Sequence, residues 1–407
     1  MNDLKSKIQL LAKQYVSEIT EIRRYLHAHP ELSFEEYNTS NYIASKLKEY
    51  RIPFQQGIVK TGIVGIIKGN KHSSFLVKEG ERVEEKCIAL RADMDALPIT
   101  ELNNVEYKSQ NNGVMHACGH DVHSASLLGA ARILNELKND FEGTIKLIFQ
   151  PGEEKLPGGA SLMIREGVLE NPSPESMFGQ HVFPSMETGK VGFRSGMYMA
   201  STDELYMTVK GKGGHAAMPA DYNNPLLITS KIILELDKAF MQQEQKAPTV
   251  LAFGKITGSG ATNVIPDEVR IEGTFRTMNE EWRAEAHEMM KQLAQNIAKQ
   301  MGGICDFRIE QGYPFLVNDE AVTLRARQAT EEYLGKENVE ELSLRMTAED
   351  FAFFSQQVPS CFYRLGTGNK VKGITSGVHT TTFDIDEAAL EIGAGLMAWL
   401  ALNELNV

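Results

Sequence analysis

Residues that can bind a metal ion occur at four places in the first half of the chain. Asp93 and Asp95 follow one apolar run, Glu153 and Glu154 follow a second, and His181 ends a third. A fourth group of donors lies between the two acidic pairs and contains His116, Cys118, His120, Asp121 and His123. Imidazole, thiolate and carboxylate groups suit Zn, Mn, Co or Ni, and such ions lower the pKa of bound water. The residue types therefore predict a metal centre that activates water.

The adjacent carboxylates Glu153 and Glu154 are expected to have different roles. Because neighbouring side chains diverge, one is expected to bind the metal and the other to face its water as a general base. The residues alone do not say which is which. Two solvated loop glutamates are the ordinary alternative, but a Pro-Gly turn after a buried strand disfavours it.

Cys118 differs from the other three cysteines of the chain. Those three lie at or beside apolar, strand-like runs, where a free cysteine is usually a small core residue: Cys87, Cys305 and Cys361. A core cysteine and a helix-capping histidine are also the ordinary interpretation of an isolated Cys118 or His120, but here the two lie together among other donors. We expect His123 to support a ligand, and Asp93 and Asp121 to orient ligating histidines.

The elements that position these residues follow an α/β pattern. Short apolar runs alternate with helical patterns in the first half of the chain, which predicts a mainly parallel sheet. The predicted strands are 63–68, 87–92, 143–150 and 176–181, and the predicted helices are 4–27, 39–50, 124–138 and 159–166. Ligand sites of open α/β sheets lie beyond the carboxyl ends of the strands, which is where the donors fall.

From about residue 201 the pattern changes to strand, helix, strand, strand, helix, strand, the order of a ferredoxin-like unit. These elements are predicted at 204–211, 225–242, 249–258, 267–276, 280–300 and 304–311. After them come predicted helices 320–333, 349–357 and 387–402, a strand 361–365, and, earlier in the chain, a surface hairpin or loop at 69–86. We therefore predict a two-domain α/β protein with a metal-binding catalytic domain (1–198 and 312–407) and an inserted ferredoxin-like (βαββαβ) domain (199–311).

The composition limits the class of protein and its partners. The 407 residues suit about two domains of a globular enzyme. A net charge of −12 without a basic cluster argues against a nucleic-acid partner. No segment approaches the roughly 18 consecutive apolar residues of a membrane span, and the N-terminus lacks the pattern of a secretory signal. We therefore expect a cytoplasmic protein without a membrane partner.

Seven segments, spread over almost the whole chain, resemble the M20 metallopeptidase family and follow its order. They are RRYLHAHPELSFEE (23–36), LRADMDALPI (90–99), MHACGHDVH (115–123), FQPGEE (149–154), GGHAAMP (213–219), TNVIPDEVRIEGTFR (262–276) and AEDFAFF (348–354). They are most similar to the amidohydrolase branch of hippurate hydrolases, N-acyl-amino-acid amidohydrolases and indole-acetyl-amino-acid hydrolases. The resemblance implies a catalytic α/β domain interrupted by a ferredoxin-like lid, with two divalent metal ions in each subunit.

The resemblance also implies roles for individual residues. Five residues match the family's metal ligands: Cys118, His120, Glu154, His181 and His379. Glu153 matches the general base, and we count Asp93 with the catalytic residues as an orienting group. His379 is not distinguished by spacing alone. The family usually continues from this histidine with Ser-Pro, whereas this chain has Thr380 and Thr381, so the form of the local turn is open.

Three further matches lie in the predicted inserted domain. His215 resembles the family histidine that helps to polarise the scissile carbonyl, often in the neighbouring subunit's active site; without the family, an exposed turn histidine is the simpler interpretation. Asn263 and Arg276 match positions that bind the substrate carboxylate, for which the bidentate fork of arginine is suited. The family also implies a homodimer or higher homo-oligomer formed through this domain.

The expected activity is hydrolysis of the amide bond of a small N-acyl amino acid (acetyl, benzoyl or similar) by water that the metals activate and Glu153 deprotonates. A dedicated N-acetyl-diaminopimelate deacetylase and a carboxypeptidase on short peptides are alternatives. The sequence does not separate these substrates, because one methylene or ring in a binding pocket changes the free energy of discrimination between them by only ~1–3 kcal/mol and leaves no readable motif. A non-catalytic metal-binding protein is disfavoured, since a site that only stores a metal ion needs no general base such as Glu153. The metal is Mn, Zn, Co or Ni, and the thiolate favours Zn.

Overall fold

The computed structural model describes residues 2–70, 86–242 and 244–406, so most of the hairpin or loop expected at 69–86 lies outside the described residues. The chain forms two compact units. Unit 1 comprises Met1–Gly196, Val317–Ser343 and Phe353–Val407, and unit 2 comprises Met197–Leu316 and Leu344–Ala352. The inserted domain expected at 199–311 is narrower than unit 2. Residues 344–352 belong to unit 2 because the N–H of Ala200 hydrogen-bonds the carbonyl oxygens of Arg345 and Thr347, each at 3.1 Å.

The described α-helices are α1 (Asn2–Ala28), α2 (Tyr37–Glu49), α3 (His120–Glu136), α4 (Gly159–Arg165), α5 (Pro225–Phe240), α6 (Glu280–Gln300), α7 (Glu320–Leu334), α8 (Ala352–Ser355) and α9 (Ala389–Leu405). The described strands are β1 (Phe54–Ile58), β2 (Gly62–Lys68), β3 (Cys87–Asp93), β4 (Thr144–Gln150), β5 (Ser176–Glu187), β6 (Val191–Phe193), β7 (Gly196–Met199), β8 (Asp203–Lys210), β9 (Gly214–His215), β10 (Thr249–Thr257), β11 (Val264–Ile265), β12 (Glu268–Thr277), β13 (Ile304–Gln311), β14 (Leu316–Asn318), β15 (Val339–Glu341) and β16 (Ser360–Gly368). A 3-10 turn spans Lys336–Asn338.

Unit 1 is built on a sheet with the strand order β1-β2-β4-β3-β5-β16-β6-β15. Its centre is parallel, because β4, β3, β5 and β16 all run in the same direction. The antiparallel pairs are β1 with β2, β2 with β4 and β6 with β16. Every residue of β3 and β4 is buried, as expected for strands covered on both faces. The mainly parallel sheet predicted from the sequence is confirmed.

Three helices of unit 1, α1, α3 and α9, pack together beside the central strands. They approach closely at Gly129, where an added Cβ would lie 2.5 Å from Ile19 Cδ1 and 2.8 Å from Ala394 Cβ. Most of α9 is buried, which explains why its sequence is apolar on almost every side. Among the helices of the described residues, none is both long and apolar enough to cross a membrane.

Unit 2 contains an antiparallel sheet with the order β10-β12-β8-β13, against which α5 and α6 pack. Along β8 the buried side chains alternate with more exposed ones, and Leu205, Met207 and Val209 face the core shared with both helices. Asn224 and Asn279 cap α5 and α6 through their side chains. Apart from the short strands β9 and β11, the elements follow the order strand, helix, strand, strand, helix, strand. The assignment of a ferredoxin-like lid and dimerisation domain stays a prediction.

Three predicted element boundaries are wrong. The helix expected from residue 124 begins at His120, because Gly119 has a left-handed φ of 86° and turns the chain directly into α3. The strand expected to end at His181 continues to Glu187, since β5 goes on pairing with β16. The helix expected over 349–357 spans only Ala352–Ser355. Because α3 begins at His120, both His120 and His123 lie in its first turn.

Candidate metal centre

The donors of unit 1 meet at the carboxyl ends of its central strands. β4, β3 and β5 are parallel neighbours, so the segments that follow β3 and β4 leave the same edge of the sheet. The last pair between β3 and β5 joins Arg91 to Gly179, and His181 comes two residues later. His181 thus lies at the same edge although its own strand continues.

The five residues that match metal ligands lie close together. Cys118 Sγ is 3.5 Å from His181 Nε2 and 3.3 Å from His379 Nε2. Glu154 Oε1 is 3.1 Å from His379 Nε2 and 3.9 Å from His120 Nε2. Two sets of three donors each fit within 4.8 Å: Cys118 with His120 and His181, and Cys118 with Glu154 and His379. The thiol of Cys118 is the donor that both sets share.

Two of these histidines present one ring nitrogen each to the site. His120 Nδ1 is 3.2 Å from Asp95 Oδ1, and its buried Nε2 has no hydrogen-bond partner among the described residues. His181 Nδ1 donates to the carbonyl oxygen of Val182 at 2.8 Å, which directs Nε2 towards Cys118. Fixing one ring nitrogen in this way sets the tautomer and aims the other nitrogen at a metal.

The contacts of His123 agree with the supporting role expected from the sequence, and one donor atom each of His123, Asp93 and His120 also lies within 4.8 Å of the other two. Its Nδ1 is 2.6 Å from Asp93 Oδ1, and its Nε2 accepts a hydrogen bond from the N–H of Val182 at 2.9 Å. Both ring nitrogens are therefore occupied. Asp93 hydrogen-bonds His123, whereas its nearest oxygen is 3.7 Å from His120 Nε2. Asp93 thus hydrogen-bonds His123 and not the ligand-matching His120, and the catalytic role of Asp93 stays a prediction.

The expectation that Asp121 orients a ligating histidine is wrong. Its Oδ2 accepts a hydrogen bond from Arg23 Nε at 2.8 Å and lies 2.8 Å from His27 Nδ1. Successive side chains of a helix point in directions about 100° apart, so Asp121 faces α1 while its neighbour His120 faces the donors. His116 is buried too, but it belongs to none of the donor sets found among the described residues.

His379 reaches the site from a loop. The loop is tied to the segment before Cys118, because the N–H of His379 donates to the carbonyl oxygen of Ala117 at 2.7 Å. His379 has a left-handed φ of 61°. The turn that the sequence left open forms with threonine, whose Oγ1 in Thr380 donates to the carbonyl oxygen of Gly377 at 2.7 Å. The departure from the family pattern leaves the histidine among the donors.

Glu153 is buried beside the donors. Only 6% of it is exposed, which excludes a solvated loop glutamate. One of its carboxylate oxygens lies within 4.8 Å of a ring nitrogen of His120 and an oxygen of Glu154. The pair of adjacent glutamates thus places two carboxylates at one site.

Asp95 holds this pair of glutamates, a role that the sequence reading did not assign. Its Oδ1 accepts a hydrogen bond from the N–H of Glu153 at 3.1 Å, and its Oδ2 accepts one from the N–H of Glu154 at 2.9 Å. Ser33 Oγ donates to the same carboxylate at 2.6 Å. The available signal was a second acidic residue directly after a buried strand, but the direction of its side chain is not readable from spacing.

Negative charge dominates the electrostatics of the site. Burial lowers the pKa of His120, but Asp93 and Asp95 outweigh burial and raise this pKa to about 10. Burial raises the pKa of the Cys118 thiol well above its ordinary value, and Glu154 raises it further. His181 differs, because burial and then the Arg364 guanidinium lower the pKa of its ring well below the ordinary value. The negative charge beside His120 and Cys118 attracts cations, and a divalent ion displaces the protons of these two groups when it binds.

The donors fit a divalent metal ion. The buried His120 Nε2 has no hydrogen-bond partner among the described residues, and Glu154 Oε1 is shared between His379 Nε2 at 3.1 Å and His120 Nε2 at 3.9 Å. Unpaired polar atoms in a protein interior cost free energy, which a bound cation would offset. Sulfur, nitrogen and oxygen donors together suit Zn, Mn, Co or Ni. Unit 1 therefore contains candidate metal-ligand groups that do not themselves select one metal.

The three remaining site residues belong to unit 2. His215 is exposed on the short two-stranded antiparallel sheet of β9 and β11. Asn263 is exposed next to it, and its carbonyl oxygen accepts a hydrogen bond from the N–H of Ala216 at 3.0 Å. Arg276 is half-buried near the end of β12 and donates to the carbonyl oxygen of Met346 at 3.1 Å. The structure brings His215 and Asn263 together, and the roles of all three stay predictions.

Known proteins are similar to this chain over almost its whole length. The model of "Peptidase family M20/M25/M40" matches residues 89–403. The IAA-amino acid hydrolase ILR1-like 4 of Arabidopsis thaliana is 36% identical over 100% of this chain and 90% of its own length. The N-acetylcysteine deacetylase of Bacillus subtilis (strain 168) is 34% identical over 97% of this chain and 98% of its own. The crystal structure of the Bacillus subtilis YXEP protein, described as a dinuclear metal binding peptidase from the M20 family, has a TM-score of 0.82 and 31% identity over 97% of this chain and 99% of its own. The chain belongs to peptidase family M20/M25/M40, as its motifs predicted, and is a hydrolase of amide or peptide bonds.

Proposed function

We propose that this hydrolase cleaves the amide bond of N-acyl amino acids at a centre of two divalent metal ions. The observation that carries the proposal is the thiol of Cys118, which is shared by two sets of donors, with the Glu153 carboxylate beside them. The names of two relatives support the substrate class, because one is a hydrolase of IAA-amino acids and the other a deacetylase of N-acetylcysteine.

Five residues would hold the metals in this proposal: Cys118, His120, Glu154, His181 and His379. Divalent ions held by these donors would supply Lewis acidity, which polarises a carbonyl and makes water easier to deprotonate. The number of ions is supported by the dinuclear metal site named for the YXEP protein. The thiolate favours Zn, and Mn, Co or Ni are the alternatives.

Glu153 is the proposed general base. Its carboxylate would take a proton from the attacking water and then pass this proton to the leaving amino-acid nitrogen. The two hydrogen bonds from the adjacent backbone to Asp95 fix the segment that carries Glu153. Burial keeps bulk water away from the carboxylate, which favours transfer of the proton to the substrate.

We assign supporting roles to four further residues. Asp93 would hold His123 and, through it, the backbone of Val182 next to a ligand. In unit 2, His215 would stabilise the oxyanion in a neighbouring subunit, and Asn263 and Arg276 would bind the substrate carboxylate. These roles require at least a homodimer formed through unit 2, and that assembly, like the cytoplasmic location, stays a prediction from the sequence.

Turnover by a defined metal form tests the proposal. Protein stripped with a chelator is reloaded with Zn, Mn, Co or Ni and assayed on N-acetyl, N-benzoyl and indole-acetyl amino acids. We expect Glu153→Ala to keep its metal but to lose roughly 10²–10⁴-fold in kcat, the usual contribution of a general base. Glu142→Ala, the same substitution at an exposed position, should behave like the wild type. Normal turnover by Glu153→Ala, or no turnover by the wild type with any of the four metals, would overturn the proposal.

A mixing experiment tests the role of His215 across subunits. Glu153→Ala and His215→Ala are each expected to be nearly inactive, but a mixed dimer pairs an intact Glu153 with an intact His215. Dissociating the two variants, mixing them and allowing them to reassemble should therefore restore part of the activity. If mixed dimers form and remain inactive, or if light scattering shows a monomer, the cross-subunit role is wrong.

Hydrolysis of short peptides is the second candidate function. The YXEP protein is described as a peptidase, which favours it. The same metal centre and base would serve, because a peptide bond is also an amide. A dipeptide included in the assay decides between the two: a kcat/KM higher on dipeptides than on every N-acyl amino acid would replace the proposed substrate class.

A further inference from the structure

Glu36 is a buried carboxylate directly before α2 that the proposed reaction does not use. An acidic side chain at the start of a helix commonly accepts hydrogen bonds from the first-turn N–H groups. Glu36 accepts none of them, and Glu31 takes this role with bonds from the N–H groups of Asn38 at 3.1 Å and Thr39 at 2.8 Å. The side chain of Glu36 reaches a different part of unit 1.

The carboxylate of Glu36 contacts the turn after β4. Its Oε1 accepts hydrogen bonds from the N–H of Gly152 and the N–H of Phe34, both at 2.8 Å, and its Oε2 accepts one from Thr61 Oγ1 at 2.7 Å. Gly152 is the residue directly before Glu153. One carboxylate oxygen therefore links the segment before α2 to the turn that carries the proposed base.

This contact is the first of a series along the turn. The N–H of Gly152 donates to Glu36, and the next two N–H groups, of Glu153 and Glu154, donate to Asp95. Three consecutive peptide groups are thus held by two buried carboxylates. Because each peptide is planar, fixing its N–H direction limits the dihedral angles of the adjacent residues and hence the directions of their side chains.

The backbone at this contact is left-handed on both sides. Gly152 has a φ of 60°, and a Cβ added there would lie 2.5 Å from ring carbons of Phe34. Phe34 itself has a φ of 67°, a region that residues other than glycine rarely adopt. Such conformations persist only where the surrounding structure holds them, and they concentrate at functional sites. Glu36 Oε1 holds both residues by their N–H groups.

The acceptor role does not require a full negative charge. Burial raises the pKa of Glu36 to about 7, and the nearby Asp95 raises it as well, while the hydrogen bond from Thr61 lowers it. The neutral amide of glutamine has nearly the same shape and keeps one acceptor oxygen. Glutamine at this position can therefore preserve the contact with Gly152.

We infer that Glu36 is a positioning residue, which aims the Glu153 carboxylate at the donor site by holding the N–H of Gly152. This inference rests on the proposed role of Glu153 as the base. A displacement of about 1 Å in a catalytic group, caused by a mutation away from the chemistry, can lower the rate on the order of 10²-fold. Loss of the Glu36 acceptor should therefore lower kcat without removing the metal.

Three variants separate positioning from general stability. Glu36→Met has a similar length and no acceptor, Glu36→Gln keeps an acceptor, and Thr61→Val removes the hydrogen bond to Oε2 while leaving the two to Oε1. For Glu36→Met we expect kcat to fall on the order of 10²-fold with KM and bound metal unchanged. Glu36→Gln and Thr61→Val should stay near the wild type. If Glu36→Met does not fold, Glu36→Asp, whose carboxylate is one methylene shorter, replaces it with the same expectation.

Hydrogen exchange of the metal-free protein gives a readout that does not depend on activity. The amides of residues 152–154 should exchange faster in Glu36→Met than in the wild type, and at the wild-type rate in the other two variants. The inference is overturned if Thr61→Val lowers kcat as much as Glu36→Met, if Glu36→Met loses activity only in proportion to lost metal, or if exchange at 152–154 is unchanged. A wild type that cleaves none of the substrates defeats the proposed function, while the exchange data still decide whether Glu36 holds the turn.

Discussion

Each unit buries a cluster of charged groups and histidine, and the cluster of unit 2 is complete in itself. Asp203 accepts hydrogen bonds from Arg283 at 2.5 and 3.0 Å and contacts His287 Nε2 at 2.7 Å. Every guanidinium nitrogen of Arg283 has an acceptor, because Glu280 Oε2 takes the third one at 2.9 Å. The buried Asp203 carboxylate is thus neutralised by the Arg283 guanidinium within unit 2.

The cluster of unit 1 has similar residue types and similar burial but a different direction of its polar atoms. Its donor atoms converge: the Cys118 thiol belongs to two donor sets, Glu154 Oε1 lies near both His379 and His120, and His120 Nε2 has no hydrogen-bond partner among the described residues. Charge and burial alone therefore do not distinguish a structural ion pair from a metal site. The distinguishing feature is whether a buried charge is neutralised by a fixed counter-charge, as in unit 2, or whether several donor atoms converge within 4.8 Å of one another, as in unit 1.

Removal of the shared donor should have the largest effect. Cys118→Ala takes one ligand from both donor sets, so we expect metal content, measured by mass spectrometry of the digested protein, to fall well below that of the wild type. Turnover should fall by more than the roughly 10–100-fold that follows loss of a group that only orients a ligand. Cys361→Ala, at a buried cysteine of β16, should keep both. Full metal content in Cys118→Ala would remove the distinction between the two clusters.

Breaking the cluster of unit 2 should affect stability instead. Asp203→Ala leaves Arg283 buried without its main partner, so we expect the free energy of unfolding to fall by about 3–5 kcal/mol. Metal content should not change. Urea unfolding and metal analysis check both points, with Asp306→Ala, at an exposed position of β13, as the control. A loss of metal in Asp203→Ala without a change in stability would contradict the comparison.

Asp95 gives a third and smaller test, because it supports a ligand without being one. Asp95→Ala removes the acceptor of His120 Nδ1 and of two backbone N–H groups, so metal affinity should fall roughly 10–100-fold. Competition with a chelator of known affinity measures it. Ser33→Ala removes only a donor to the same carboxylate and should keep near-normal affinity. Equal losses in the two variants would show that Asp95 does not act through His120.

The sequence led to most of this site because strand ends obey a general rule. Apolar runs predicted β3, β4 and β5, and parallel neighbours deliver their following residues to one edge, where Cys118, His120, Glu154 and His181 meet. His379 follows no such rule, since it lies in a loop that long-range backbone bonds hold at the site, among them the bond from its own N–H to Ala117. The family resemblance was needed to find it.

The pattern of apolar residues in the sequence predicted neither the direction of side chains beyond a strand end nor the short strands. Beyond the end of β3 the alternation of a strand no longer applies, so the spacing did not show that Asp95, and not Asp93, bonds His120. β1 is a polar edge strand and β15 has three residues, so neither shows the apolar run that predicts a strand. The contact of Glu36 with Gly152 likewise depends on two left-handed backbone conformations that no periodicity records.

The smallest expected effect is on how the free energy of unfolding depends on pH under acidic conditions. Burial raises the pKa of Asp203, but His287 and Arg283 outweigh burial, so the folded pKa lies below the ordinary value. A lowered folded pKa gives stability that is fully present above the unfolded pKa of about 3.9 and is lost as the pH falls through the folded pKa. The urea midpoints of metal-free wild type and Asp203→Asn, followed from about pH 6 to about pH 3, should therefore draw closer below about pH 3.9. A difference that stays constant over this range would show that Asp203 stabilises unit 2 by hydrogen bonding alone, and that its charge is not what the buried arginine matches.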